Sequence, residues 1–300
     1  MQKIQLAEGL SFSRIVSGQM RIPAWGMDSA ALLKYMEELM NLGIDTFDNA
    51  DIYGNYTCEK LVGDALALNP SVRNKMTIIT KCGIKIKSDK FPERKIQHYD
   101  YRYEYIMQEV ENSLRNFRTD HIDVLLLHRP SDLLNPEEVA KAFDKLKKDG
   151  KVRYFGVSNF LKEQFSMLQS YTDEKLVTNQ IEISPYCIEH LENMNLDFLQ
   201  ERRVHPMAYC PMAGGRFEQP TDAKAERASK ALHEIAEELN ADSIDKVIYA
   251  WLFKHPAGII PINGSGKIER IKSAIAALDI DMSIEHWARI LVAARGVVLP

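Results

Sequence analysis

At positions 48–53 the chain reads Asp48-Asn49-Ala50-Asp51-Ile52-Tyr53, directly after the apolar and β-branched run Gly43–Phe47. Lys81 closes a second such run, and Leu125-Leu126-Leu127 leads straight into His128. A phenol, with an ordinary pKa of about 10, donates a proton poorly near neutrality. An ammonium beside it lowers that value, and a carboxylate holds the ammonium in place. Asp48, Tyr53, Lys81 and His128 therefore contain the parts of a general acid assembly. Taken singly, each has a plainer reading: a tyrosine packed on a rim, a structural Lys–Asp pair, a histidine that is merely hydrogen-bonded. The combination, set at the ends of apolar runs, is what points to proton transfer.

Those runs belong to an alternation that continues nearly to the end of the chain. Strands are expected at Ile15–Gly18, Ile44–Phe47, Met76–Thr80, Val124–Leu127, Val152–Val157, Val177–Ile181, Val204–Tyr209 and Gly258–Pro261. Helical patterns fall between them at Ser29–Leu42, Thr57–Leu68, Tyr103–Phe117, Pro136–Asp149, Lys162–Gln169, Leu191–Gln200, Ala223–Leu239 with Ile244–Lys254, and Ile268–Ala277. Asn135-Pro136-Glu137-Glu138 reads as a helix start, with a capping side chain, proline at the first helical position and acids in the first turn. Lys147-Lys148-Asp149-Gly150 supplies the matching basic last turn and glycine stop. Strand–helix units of this number close most economically into a (β/α)8 TIM barrel, whose chemistry sits at the C-terminal strand ends. Lys3–Leu6 and Leu10–Arg14 around Glu8-Gly9 form an expected N-terminal β-hairpin, and Ser283–Ala294 an added C-terminal helix. Gly83–Tyr101, basic and poor in apolar residues, reads as a long loop. No linker divides the chain, so residues 1–300 are expected to form a single domain.

Composition narrows the partners. With 300 residues, 45% of them hydrophobic and 27% charged, the chain falls in the globular range. A net charge of −4 lacks the basic excess of a nucleic-acid binder, so a small molecule is the expected partner. The first twenty residues hold no apolar signal core, and no long uncharged apolar run follows; a cytoplasmic protein that does not enter the membrane is expected. Cys58, Cys82, Cys187 and Cys210 are widely spaced, which fits neither a zinc framework nor a disulfide scaffold. G-x-G-x-x-G after a strand, Walker A, G-x-S-x-G and H-E-x-x-H are all absent. Nothing in the pattern fixes an oligomeric state.

Asp48-Asn-Ala-Asp-Ile-Tyr53-Gly with Glu59 and Gly63 behind it, the lone Lys81, and Asp120-His-Ile-Asp-Val-Leu-Leu-Leu-His128-Arg-Pro together resemble the aldo-keto reductases. The resemblance covers essentially the whole chain, with the motifs in order at strand ends. It implies a TIM barrel, NADPH as hydride donor, no metal, and reduction of aldehyde or ketone carbonyls. On this likeness Tyr53 protonates the carbonyl oxygen, Lys81 tunes it, Asp48 anchors Lys81, and His128 orients the substrate. Carried over in the same way, Ser158, Asn159 and Gln180 meet the nicotinamide carboxamide and Tyr209 stacks on the ring. Gly214, Gly215 and Arg216 suit the pyrophosphate, while Ser265, Lys267 and Arg270 suit the 2′-phosphate at a helix start. Gly264 stands where many relatives have lysine, and Ala274 where asparagine is frequent, which leaves NADH use open beside NADPH. Met20 and Trp25 are expected walls of the substrate pocket. The rival reading is a cofactor-sensing or regulatory subunit on the same barrel with little turnover.

Overall fold

The computed structural model describes residues 1–298. Eight strands close into a barrel: β1 (Val16–Gly18), β2 (Thr46–Asp48), β3 (Thr77–Cys82), β4 (Ile122–Leu127), β5 (Val152–Ser158), β6 (Leu176–Glu182), β7 (Met207–Tyr209) and β8 (Ile260–Asn263). They follow one another around the barrel in sequence order. The strands run parallel, in the (β/α)8 pattern that the alternation predicts. All six residues of β4 are buried. Each aliphatic side chain so enclosed stabilises the fold by about 1.5–3 kcal/mol relative to exposure. Such strands read as continuous apolar runs because both faces are covered.

By packing, the chain resolves into two compact units, Met1–Asn179 with Gly264–Gly266, and Gln180–Asn263 with the chain from Lys267 on. In the first, the antiparallel hairpin Lys3–Ala7/Leu10–Ser13 precedes β1. Helix Ser29–Asn41 starts where the Asp28 carboxylate accepts from Ala31 N at 2.8 Å. Helix Pro136–Lys148 begins as its sequence foretells, with Asn135 Oδ1 accepting from Glu137 N at 3.0 Å. In the second unit, the added helix Ile284–Arg295 is fastened to helix Ile244–Lys254 by Trp287 and Trp251. The two indoles stack at 5.4 Å, and each ring N–H donates to the other residue's carbonyl, at 3.1 and 3.2 Å. Each indole thus satisfies its polar edge while burying its faces.

Four expectations are corrected. Leu191–Gln200 is not one helix: Asn193 Oδ1 accepts from Asn195 N at 3.0 Å and Met194 is left-handed at φ 65°, which divides Glu189–Glu192 from Asn195–Glu201. The last strand starts at Ile260, because Gly258 N closes a turn onto His255 O at 3.1 Å and the ladder begins at Ile260 N to Pro206 O. The seventh is cut back to Met207–Tyr209. Gly83–Tyr101 is not irregular throughout, since Ile84–Lys85 pairs with His98–Tyr99 in a small antiparallel ladder. At the base of that lobe Tyr101 spans to the residue after His128, donating to Arg129 O at 2.5 Å and lying 2.9 Å from Arg129 N.

Candidate active site

Parallel pairing delivers the candidate residues to one end of the barrel. Asp48 is the last residue of β2, in register with Ile79 of β3, and Lys81 of β3 is in register with Leu126 of β4. The ladder runs on past the strand ends, through Asp51 N to Lys81 O and His128 N to Cys82 O, both at 3.0 Å. Backbone bonds therefore fix the loop after β2 and the residue after β4 against the same strand, β3. Tyr53 follows on the short turn Tyr53–Tyr56, where Gly54, Asn55 and Tyr56 are all left-handed at φ 58°, 54° and 64°. For Tyr56 that conformation costs of order 1–3 kcal/mol. Its side chain and carbonyl are held by the basic lobe, with Arg94 Nη1 2.7 Å from the Tyr56 hydroxyl and Lys90 Nζ 3.2 Å from Tyr56 O.

Lys81 is wholly buried, and its ammonium meets four acceptors: both Asp48 carboxylate oxygens at 2.8 Å, Asn49 O at 2.6 Å and the Tyr53 hydroxyl at 3.0 Å. An ammonium has three hydrogens to share among those four, and the phenol is the most distant. A phenol oxygen that accepts from Lys81 keeps its own hydrogen to give elsewhere. The same ammonium lies 4.7 Å from the centre of the Tyr53 ring, and the His128 ring stands edge-on to it at 5.8 Å. The structure thus brings Asp48, Tyr53, Lys81 and His128 together.

Burial governs the electrostatics. It draws the Lys81 pKa below its ordinary value, against the pull of Asp48. His128 is held well below the usual imidazole value, first by burial and then by the charges of Lys81 and Arg129, so the ring is neutral. Its Nδ1 is buried without a hydrogen-bond partner. Behind Lys81 lie two carboxyls raised above the ordinary range, Asp51 strongly so, in both cases chiefly by burial. Glu59 accepts from Thr80 Oγ1 at 2.6 Å, Ser113 Oγ at 2.8 Å and Asn116 Nδ2 at 3.1 Å, which ties the helix Cys58–Leu66 to β3 and to helix Tyr103–Phe117.

The other sequence-derived candidates fall as follows. Ser158, buried, ends β5, and Asn159 Nδ2 donates to Ser158 Oγ at 2.8 Å and reaches His128 O at 3.5 Å. Gln180 is buried on β6, with its Nε2 3.8 Å from Met207 Sδ, and Tyr209 ends β7. Gly214 and Gly215 form the single turn Ala213–Gly215, and Arg216 Nη1 folds back to Ala213 O at 2.8 Å. Lys267 and Arg270 are exposed around the start of helix Ile268–Ala276. Met20 is half exposed, while Trp25 lies against Gly266. Sequence reasoning missed Gln19 and Asn49, both fully buried, with Gln19 Oε1 and both Asn49 amide atoms unpartnered. A polar residue lodged between two singled-out ones, as Asn49 is, was the available signal.

Among the described residues no group of His, Cys, Asp and Glu gathers to hold a metal ion, and no helix is long and apolar enough to cross a membrane.

The sequence profile of the Aldo/keto reductase family matches residues 14–294. The chain is 51% identical over 301 residues to the oxidoreductase YcsN of Bacillus subtilis (strain 168), with 100% of each chain covered. It is 41% identical over 297 residues to the 6-dehydroglucose reductase of Agrobacterium fabrum (strain C58), covering 99% of each. Among solved structures, the glycerol dehydrogenase of Gluconobacter oxydans shares the fold with a TM-score of 0.83 at 24% identity, over 99% of this chain and 97% of that one.

Proposed function

The chain belongs to the aldo/keto reductase family, and we propose that it reduces the carbonyl of a small aldehyde or ketone to an alcohol, with hydride from NADPH and a proton from Tyr53. The observation that carries this reading is the Lys81 ammonium, wholly buried, bonded to Asp48 and 3.0 Å from the Tyr53 hydroxyl. As the carbonyl carbon gains hydride, its oxygen gains charge, and Tyr53 releases its proton to that oxygen. Lys81 stabilises the phenolate left behind, and Asp48 keeps the ammonium charged despite burial. One unit of phenol pKa is worth about 1.4 kcal/mol, so a single adjacent charge in a dry site is significant. Neutral His128 can hydrogen-bond the substrate oxygen without competing as an acid.

Residues present suit a nicotinamide cofactor. Ser158 and Asn159 offer a hydroxyl and an amide beside His128, and the Asn49 amide, buried just after β2, has both atoms without a hydrogen-bond partner. Bound NADPH would supply the hydride. Gln180, Tyr209, Gly214, Gly215 and Arg216 are the further candidates for its nicotinamide and pyrophosphate, and Ser265, Lys267 and Arg270 for its 2′-phosphate, with NADH as the weaker alternative. A cytoplasmic setting and small-molecule carbonyl partners accord with this reading.

Steady-state NADPH oxidation with a panel of aldehydes and ketones is the test. Turnover is expected with several. Cofactor binding with no turnover on any carbonyl would overturn the reductase in favour of a sensing subunit.

A further inference from the structure

Trp25 and Tyr35 stand on consecutive elements and grip consecutive residues of one distant loop. Trp25 closes the 3-10 turn Ile22–Ala24, its N–H donating to Ile22 O at 3.0 Å. Tyr35 is buried on helix Ser29–Asn41. The Trp25 ring covers Gly266 so closely that a Cβ there would fall 2.6 to 2.8 Å from its atoms. The Tyr35 hydroxyl donates to Ser265 O at 2.5 Å, across 230 residues of sequence. The two rings meet edge-on at 5.4 Å and 67°. Burial, then Glu38, raises the Tyr35 pKa, so the phenol remains a donor at any working pH. The segment Gly264–Gly266 accordingly packs as part of the first compact unit, although Asn263 before it and Lys267 after it belong to the second.

We propose that Trp25 and Tyr35 are positioning residues that fix the Gly264–Gly266 loop in the conformation in which Ser265 meets the 2′-phosphate of NADPH, and so set the preference for NADPH over NADH. This rests on the cofactor assignment of Ser265 above. Gly266 is needed because any side chain would displace the indole that seats the loop. A loop held in its binding conformation before the ligand arrives loses less conformational entropy on binding, and that advantage falls on the ligand whose phosphate the loop contacts. NAD lacks that phosphate and gains little.

Calorimetry with NADP+ and NAD+ separates the outcomes without turnover. Trp25→Ala is expected to weaken NADP+ roughly tenfold and NAD+ less than about twofold, with Tyr35→Phe acting in the same direction by roughly threefold. Trp25→Phe keeps an aromatic face and should restore NADP+ affinity. Trp25 is also a reporter: 2′,5′-ADP should change the fluorescence of the wild-type protein and leave that of Trp25→Phe unaltered. In steady state, Tyr35→Phe should raise the NADPH KM with kcat within about twofold. Equal losses for both nucleotides, or none, would overturn the proposal. Gly266→Ala provides the same test from the loop side should Trp25→Ala fail to fold. A wild-type protein that binds neither nucleotide would instead sink the cofactor reading itself.

Discussion

Two buried ion pairs flank β3 at its opposite ends. Arg73–Asp123 lies where β3 and β4 begin; Lys81–Asp48 lies where β2 and β3 finish. The Arg73 guanidinium directs four of its five N–H groups to fixed partners: Nε to Thr119 Oγ1 at 3.0 Å, Nη1 to Met76 O at 3.1 Å, Nη2 to His121 O at 2.9 Å and to Asp123 at 2.8 Å. Asp123 in turn accepts from Ile78 N at 2.9 Å. Every contact is to backbone or to another side chain held by backbone, as befits a planar fork that knits a barrel floor. The Lys81 ammonium differs in one partner. Three of its acceptors are fixed, but the fourth is the Tyr53 hydroxyl, which carries a proton of its own. The Arg73 contacts hold the fold together, even with His121 Nε2 3.7 Å from Asp123; an ammonium bonded to a phenol can also take part in proton transfer.

Lys81→Met should break the comparison most severely. It strands the Asp48 carboxylate in a dry site at a cost of about 3–5 kcal/mol and removes the charge that assists Tyr53, so both the midpoint of urea unfolding and kcat should fall. Tyr53→Phe isolates the chemical half. Turnover should drop by about 10²–10⁴-fold while NADPH binding by calorimetry stays put, and unchanged turnover would remove Tyr53 from the reaction. Arg73→Met isolates the structural half: a similar loss of stability, about 3–5 kcal/mol, with kcat preserved in the folded fraction. If that variant lost kcat as Tyr53→Phe does, the division between the two ends would be false.

His128 sharpens the contrast by the smallest margin. Its folded pKa is depressed, so the unfolded chain binds a proton there that the native protein does not, and stability declines as pH falls below about 6.5. His128→Gln should flatten that slope in a series of denaturant titrations between about pH 6.5 and 5. A slope as steep as the parent's would mean that the ring is protonated in the native state.

The grouping of Asp48, Lys81 and His128 was legible in the sequence because strands that must be buried advertise their ends, and these charged or titratable residues stand at the ends of such runs. What stayed hidden depends on contacts remote in sequence. No local pattern tells that Trp25 seats on Gly266, that Arg73 reaches Thr119, His121 and Asp123, or that Asp51 and Asn49 are sealed from water. The Ile84–Lys85 and His98–Tyr99 strands are two residues each, too short to display a period. The edges of β7 and β8 shifted because β-branched residues in a turn resemble those in a strand until the hydrogen bonds are known.

Tyr101 bonds both polar backbone atoms of Arg129, and its ring so closely covers Gly83 that a Cβ there would lie 2.0 Å from it. Entry and exit of the basic lobe are thus pinned to a single aromatic clasp immediately behind His128. A lineage could lengthen, shorten or replace the residues beyond that clasp while the cluster of Asp48, Tyr53, Lys81 and His128 inherits no disturbance.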